Sequence, residues 1–210
     1  MVFVPCGTMN ERCAGTVPGG TEVARTAPWG VNPARKGQPV SAIHSVDPEE
    51  SAFDTGLFRR VSGRFTAGIT VVTTRSAAGL RGITANSFTT VSLNPPLVLF
   101  CLTNTSSFTP LIEESGVFAV NVLAVDDEFL SDRFANRAPL VDVRFTGVPH
   151  HFEESGAPVL DTAIAWFDCR VWANYDGGDH RIVVGEVLSL GEAEGEPLVY
   201  YRSSYARVAM

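Results

Sequence analysis

A chain of 210 residues with 45% hydrophobic side chains can bury one sizeable core, or a core with a small appendage. Its formal net charge of −7 excludes a broad phosphate-tracking surface, and with it nucleic acid as a partner, although a local pocket can still hold a phosphate. No apolar run reaches the roughly 18 residues of a membrane span, and Met1 to Gly20 lacks an export leader, so a cytoplasmic chain with no membrane association is expected. The four cysteines form no CxxC pair, and Cys101 and Cys169, set in apolar contexts, read as buried thiols.

Residues 1–46 recur in Gly and Pro without helical or strand periodicity, which predicts an extension preceding one domain over 47–210. Trp29 in it is either an anchor to the domain or a second subunit, or a lone semi-exposed aromatic. Asp47 can cap a helix, Pro48 suits its first position, and Glu50 stands where a capping box places its carboxylate. Phe53, Leu57, Val61 and Phe65 then recur every four residues, predicting a helix that packs its apolar face on the body of the domain.

Strands are expected over Ile69 to Thr74, Leu80 to Ser92 and Leu97 to Leu102, the last two separated by a turn at Asn94-Pro95-Pro96. Thr109-Pro110 starts a short helix that Gly116 ends, Val117 to Leu123 is another strand, and Asp126 to Phe134 a second short helix. Strands follow over Ala163 to Tyr175, Arg181 to Leu190 and Leu198 to Tyr201, the first two linked by the turn Asp176-Gly177-Gly178-Asp179. Many strands with few long helices favour a barrel over a doubly wound sheet. Neither GxGxxG after a strand nor GxxxxGK[ST] occurs, so a Rossmann half and a P-loop are unsupported.

The chemistry-bearing segment is RGITANSFTTVSL, where Thr84, Ala85, Asn86, Ser87 and Thr89 replace the bulky branched side chains of an ordinary core strand. Small side chains with hydroxyls and an amide leave room beside a flat polar ligand. Taken alone, the same pattern also fits an edge strand with a polar outer face. Ser107 and Thr109 add hydroxyls before a helical proline. No GxSxG elbow, HExxH pair or cysteine pair is present, and adjacent His150 and His151 point differently on regular structure, so no metal site is expected.

In chain order, Gly68-Ile69-Thr70-Val71-Val72-Thr73, Gly82 to Leu93 with Pro95-Pro96-Leu97-Val98, Ser107-Phe108-Thr109, Phe118 to Leu123, Gly178-Asp179-His180 and Pro197 to Arg202 resemble the short-chain flavin reductases. The likeness covers roughly Phe58 to Tyr205; one departure is Ser203, where that family usually has a glycine after the arginine. The resemblance implies a mainly β fold, a split β-barrel with a few short peripheral helices. It further implies a homodimer that reduces FMN or FAD with NADH or NADPH and supplies reduced flavin to a separate flavin-dependent monooxygenase. Thr84, Ala85, Asn86, Ser87, Ser107, Thr109 and Arg202 are then the implied cofactor-binding residues, with the phosphate toward Ser107 and Thr109, and His180 the implied catalytic residue on the nicotinamide side. A split-barrel flavoprotein or haem-binding protein with a different or no catalytic role is the alternative within that superfamily, and a flavin-free interaction domain lies outside it.

Overall fold

The computed structural model describes residues 53–77, 79–137 and 145–208. The expected extension, Trp29, Cys6, Cys13 and the Asp47 helix start therefore lie outside the described residues. The helix that is described, α1, runs Thr55–Ser62 and begins at Asp54, whose carboxylate accepts from the Leu57 amide at 2.8 Å. Its expected packing on the domain is corrected. No α1 residue is buried, and Leu57 and Val61 are 50% and 62% exposed. The helix stops at Gly63, which leaves Phe65 outside it, and Phe53 turns to Phe58 with ring centroids 5.7 Å apart.

The strands are β1 (Ala67–Gly68), β2 (Thr70–Ser76), β3 (Gly79–Ala85), β4 (Thr89–Leu93), β5 (Pro96–Thr103) and β6 (Val117–Val122), followed by β7 (His150–Phe152), β8 (Pro158–Leu160), β9 (Ala165–Gly177), β10 (His180–Glu192), β11 (Val199–Tyr201) and β12 (Ser204–Ala206). Two further helices are α2 (Thr109–Ser115) and α3 (Glu128–Phe134). The architecture is mainly β with peripheral helices. An antiparallel seven-stranded sheet runs β3-β2-β6-β9-β10-β5-β4, beside a small β1-β11-β12 sheet and a β7-β8 hairpin. Strands β7, β8 and β12 escaped sequence reading because three residues are too few to display a period of two.

The single strand expected over Leu80 to Ser92 is in fact two, β3 and β4, placed at opposite edges of the sheet. After Ala85 the chain leaves β2, and the Ser87 hydroxyl accepts the Cys101 amide at 2.9 Å before β4 joins β5. A side chain thus supplies the acceptor that a strand backbone would otherwise provide.

One core packs Val72, Val98 and Val120 around the edge-to-face pair Phe100–Phe118, whose centroids are 5.1 Å apart. A second packs Ile69, Val71 and Leu123 against Phe134, Phe145 and Leu198. Buried polar groups stitch the layers. Asn121 donates to the Val71 carbonyl at 3.0 Å and accepts from the Leu160 amide at 2.8 Å, while Asp168 accepts from both the amide and the hydroxyl of Ser155. Cys169 is buried, and that burial pushes its thiol well above the usual range. Cys101, expected to be buried, is only partly so.

Candidate functional site

Strand β3 is small because helix α3 lies against it. A Cβ on Gly82 would stand 2.7 Å from the Phe134 ring, and the Thr84 hydroxyl donates to the Ser131 carbonyl at 2.6 Å. Where α3 does not cover β3, three cavities open along the strand, and Thr84 lines all three. The largest, about 640 Å³, lies between Arg81 to Thr84, the 106–108 loop and the end of α3. A second of about 230 Å³ is lined by Ala85, Asn86, Ser87, Cys101 and His180, and a third of about 130 Å³ by Asn86, Ser131, Arg137, Tyr200 and Tyr205.

Six of the eight expected site residues line two neighbouring cavities that share Thr84: Ser107 the largest, and Ala85, Asn86, Ser87 and His180 the second. Thr109 and Arg202 line none of these cavities. The Thr109 hydroxyl is buried without a hydrogen-bond partner among the described residues. Arg202 instead lines a separate cavity with Arg59, Arg60 and Arg64.

His180 is held at the tip of the β9–β10 hairpin, where Gly178 takes the left-handed conformation (φ 77°). Its Nδ1 is 2.6 Å from Asp179 Oδ1, and that hydrogen bond holds the Asp179 carboxyl below its ordinary range. Asn104 ties this tip to the next loop: its amide donates to the Asp179 carbonyl and its Nδ2 to the Gly178 carbonyl, both at 2.9 Å. The loop then turns through Ser106, whose hydroxyl accepts the Phe108 amide at 3.2 Å, and delivers Ser106 and Ser107 to the largest cavity. Hydrogen bonds thus tie the hairpin tip that carries His180 to Asn104, two residues before Ser106 in the same loop.

Sequence reading missed Arg81, Arg137 and Ser106 on the cleft wall. Arg137 arrives there because Asn136 adopts a left-handed conformation (φ 57°) after α3, and the Arg137 amide returns to the Asp132 carbonyl at 2.9 Å. A hydrogen bond with the Tyr200 hydroxyl raises the Arg137 pKa further above its ordinary value. Tyr205 braces the same corner, donating to Asp132 Oδ1 at 2.6 Å and lying 2.9 Å from Ser131 Oγ. Burial first, then that donation to Asp132, push the phenol upward. A signal for Arg81 existed, since it opens the small-residue segment; Arg137 had none, because α3 and its turn bring it in from outside that segment.

The cleft combines donors, two guanidiniums and a small-residue floor, a set suited to a flat polar ligand bearing phosphate. A family model described as a flavin reductase-like domain matches residues 62–209. The chain is 40% identical over 158 residues to the flavin-dependent monooxygenase reductase subunit HsaB of Rhodococcus jostii, covering 75% of this chain and 80% of that protein. It is 39% identical over 165 residues to the FMN reductase (NADH) SmoA of Agrobacterium fabrum, covering 76% and 92%. Among solved structures it is similar to the Streptomyces globisporus NADH:FAD oxidoreductase SgcE6 in complex with NAD and FAD fragments. The TM-score there is 0.68 at 37% identity, covering 74% of this chain and 93% of that one.

Proposed function

The chain belongs to the flavin reductase-like family, and from that premise we propose that it is an NAD(P)H:flavin oxidoreductase supplying reduced FMN or FAD to a separate flavin-dependent monooxygenase. The observation that carries this reading is the row of three cavities along β3 that share Thr84, with Arg81 and Arg137 on the largest and His180 on another. Its largest cavity, about 640 Å³, falls within the roughly 300–1,000 Å³ of small-molecule sites.

The residues present fit a flavin. Asn86 offers an amide, Thr84 and Ser87 retain oxygen lone pairs, and Ser106, Ser107, Arg81 and Arg137 make a donor set for its phosphate. A bound flavin would supply the acceptor for a nicotinamide hydride, and the chain's part would be to hold, orient and shield. Ser87 and Cys101 keep the floor taut through their hydrogen bond. His180, oriented by Asp179, positions the nicotinamide, because hydride transfer depends on alignment more than on a proton donor.

Several finer points belong to the same reading. The two edge strands of the large sheet are joined by residues 86–88 alone, a link of about 10 Å when extended, which supports a split barrel. Residues 1–46 are taken as an extension to a domain over 47–210, and the active form as a cytoplasmic homodimer. No helix among the described residues is long and apolar enough to cross a membrane. Anaerobic stopped-flow mixing of NADH or NADPH with the chain and FMN, FAD or riboflavin tests the activity: bleaching of the flavin is expected, and none with any pair rejects it.

A further inference from the structure

We propose that α1 and the β11–β12 turn form a second anion site, apart from the β3 cleft, that binds a phosphate or diphosphate group. The chain has 15 arginines and one lysine against 23 acidic residues, yet four of those arginines, Arg59, Arg60, Arg64 and Arg202, line one cavity of about 270 Å³. The site shares no lining residue with the three cavities along β3.

These guanidiniums are not spent on internal pairing. Among the described residues, Arg60 alone of the four approaches a carboxylate, Asp54 at 3.8 Å, and both side chains of that pair are mostly exposed. Among the described residues, no hydrogen bond or ion pair engages the side chains of Arg59, Arg64 or Arg202. Placing like charges around one concavity is unfavourable unless an anion offsets it. The helix dipole accounts for basic residues near the end of α1, but not for Arg202, which comes from a different element.

Arg202 is brought there deliberately by the backbone. Tyr201 pairs with Ser204 across a two-residue hairpin in which Arg202 (φ 51°) and Ser203 (φ 64°) both occupy the left-handed region. Asn-Gly is the usual solution for such a turn, and a residue bearing a larger side chain is strained there. The turn is then fastened to the helix end, the Arg202 amide donating to the Gly63 carbonyl at 3.0 Å. Strain kept at a position that aims a cation into a cavity marks a binding role.

Size and charge define the ligand. A cavity of about 270 Å³ is smaller than a whole dinucleotide requires, so the phosphate end enters and the remainder stays in solvent. Guanidinium forks match phosphoryl oxygens in bidentate fashion, and several of them together favour a multiply charged diphosphate over a carboxylate.

Calorimetric titration of the full chain with sodium pyrophosphate, and separately with inorganic phosphate, tests the site. Three proteins are compared: wild type, Arg59→Gln/Arg64→Gln, and Arg137→Gln in the cleft, with circular dichroism confirming that each is folded. Pyrophosphate affinity is expected to fall at least tenfold in the double variant and to persist in Arg137→Gln. The pattern reversed, equal affinity in all three, or no binding to wild type overturns the proposal. Arginine-dependent binding to phosphatidylglycerol vesicles without pyrophosphate binding overturns it in favour of a lipid surface. Because no flavin or nicotinamide enters the titration, its failure is separate from failure of the reductase reading.

Discussion

The β9–β10 hairpin and the β3–β4 segment border the same cleft but are built on opposite terms. The hairpin consists of two 13-residue strands paired almost throughout, with only two register shifts, and it crosses the middle of the large sheet. Strands β3 and β4 do not pair with each other; they lie at the two edges and are broken apart at residues 86–88. Long pairing holds His180 at the tip of the hairpin, whereas the break leaves room beside the polar side chains of Thr84, Asn86 and Ser87. Rigidity and openness are thus divided between two elements.

The largest effect should come from disturbing the rigid partner. A Cβ on Gly185, beside the register shift in β10, would stand 2.2 Å from Phe118 Cζ, so Gly185→Val should destabilise the fold by about 3 kcal/mol. Thermal melting should then drop by roughly 10 °C for a chain of this size. A change within about 0.5 kcal/mol, the scale of ordinary surface substitutions, would mean that the hairpin is not the rigid half.

On the open side the loss should appear in binding instead. Arg137→Ala removes a guanidinium from the cleft and should weaken FMN by about 1.5–2 kcal/mol, with melting little changed. An unchanged dissociation constant in fluorescence titration would move the phosphate elsewhere. Ser87→Ala probes the junction between the halves. It leaves the Cys101 amide without its acceptor and should cost about 1 kcal/mol, with faster hydrogen exchange at that amide; native protection there would show that β4 can close the gap unaided.

Smaller effects sharpen the comparison. His180→Ala should raise the NADH Michaelis constant several-fold, under about 1 kcal/mol, while flavin affinity is retained, since the rigid tip positions rather than binds. Loss of flavin affinity instead would assign His180 to the cofactor. The smallest signal is in pH. The Tyr205 phenol lies above its ordinary value near 10 in the folded chain. The stability it contributes is therefore fully present below pH 10 and lost as pH rises through the raised value. Tyr205→Phe should flatten that alkaline decline in urea melts, and an identical pH profile would detach Tyr205 from the bracing of α3.

Much of this was legible in the chain itself. Alternation and β-branched runs located β2, β5, β6, β9 and β10, and proline and glycine located α2 and the hairpin tip, because these are local steric effects. The polar character of Thr84 to Ser87 was legible for the same reason, yet its cause was only half read. Gly82 and Thr84 are small and polar because α3 packs and hydrogen-bonds there, as well as to leave a cavity.

What the sequence determined by itself is therefore most of the longer elements, the predominance of β structure and the small polar character of residues 84–87, each written in side-chain size and period over a few neighbouring residues. Only the tertiary structure decided that β3 and β4 part to opposite edges, that α1 leaves its apolar face uncovered, and that Arg137 joins the cleft while Arg202 joins another arginine cluster. Those outcomes depend on contacts between segments far apart in the chain, and no local pattern encodes which distant partner a side chain will meet.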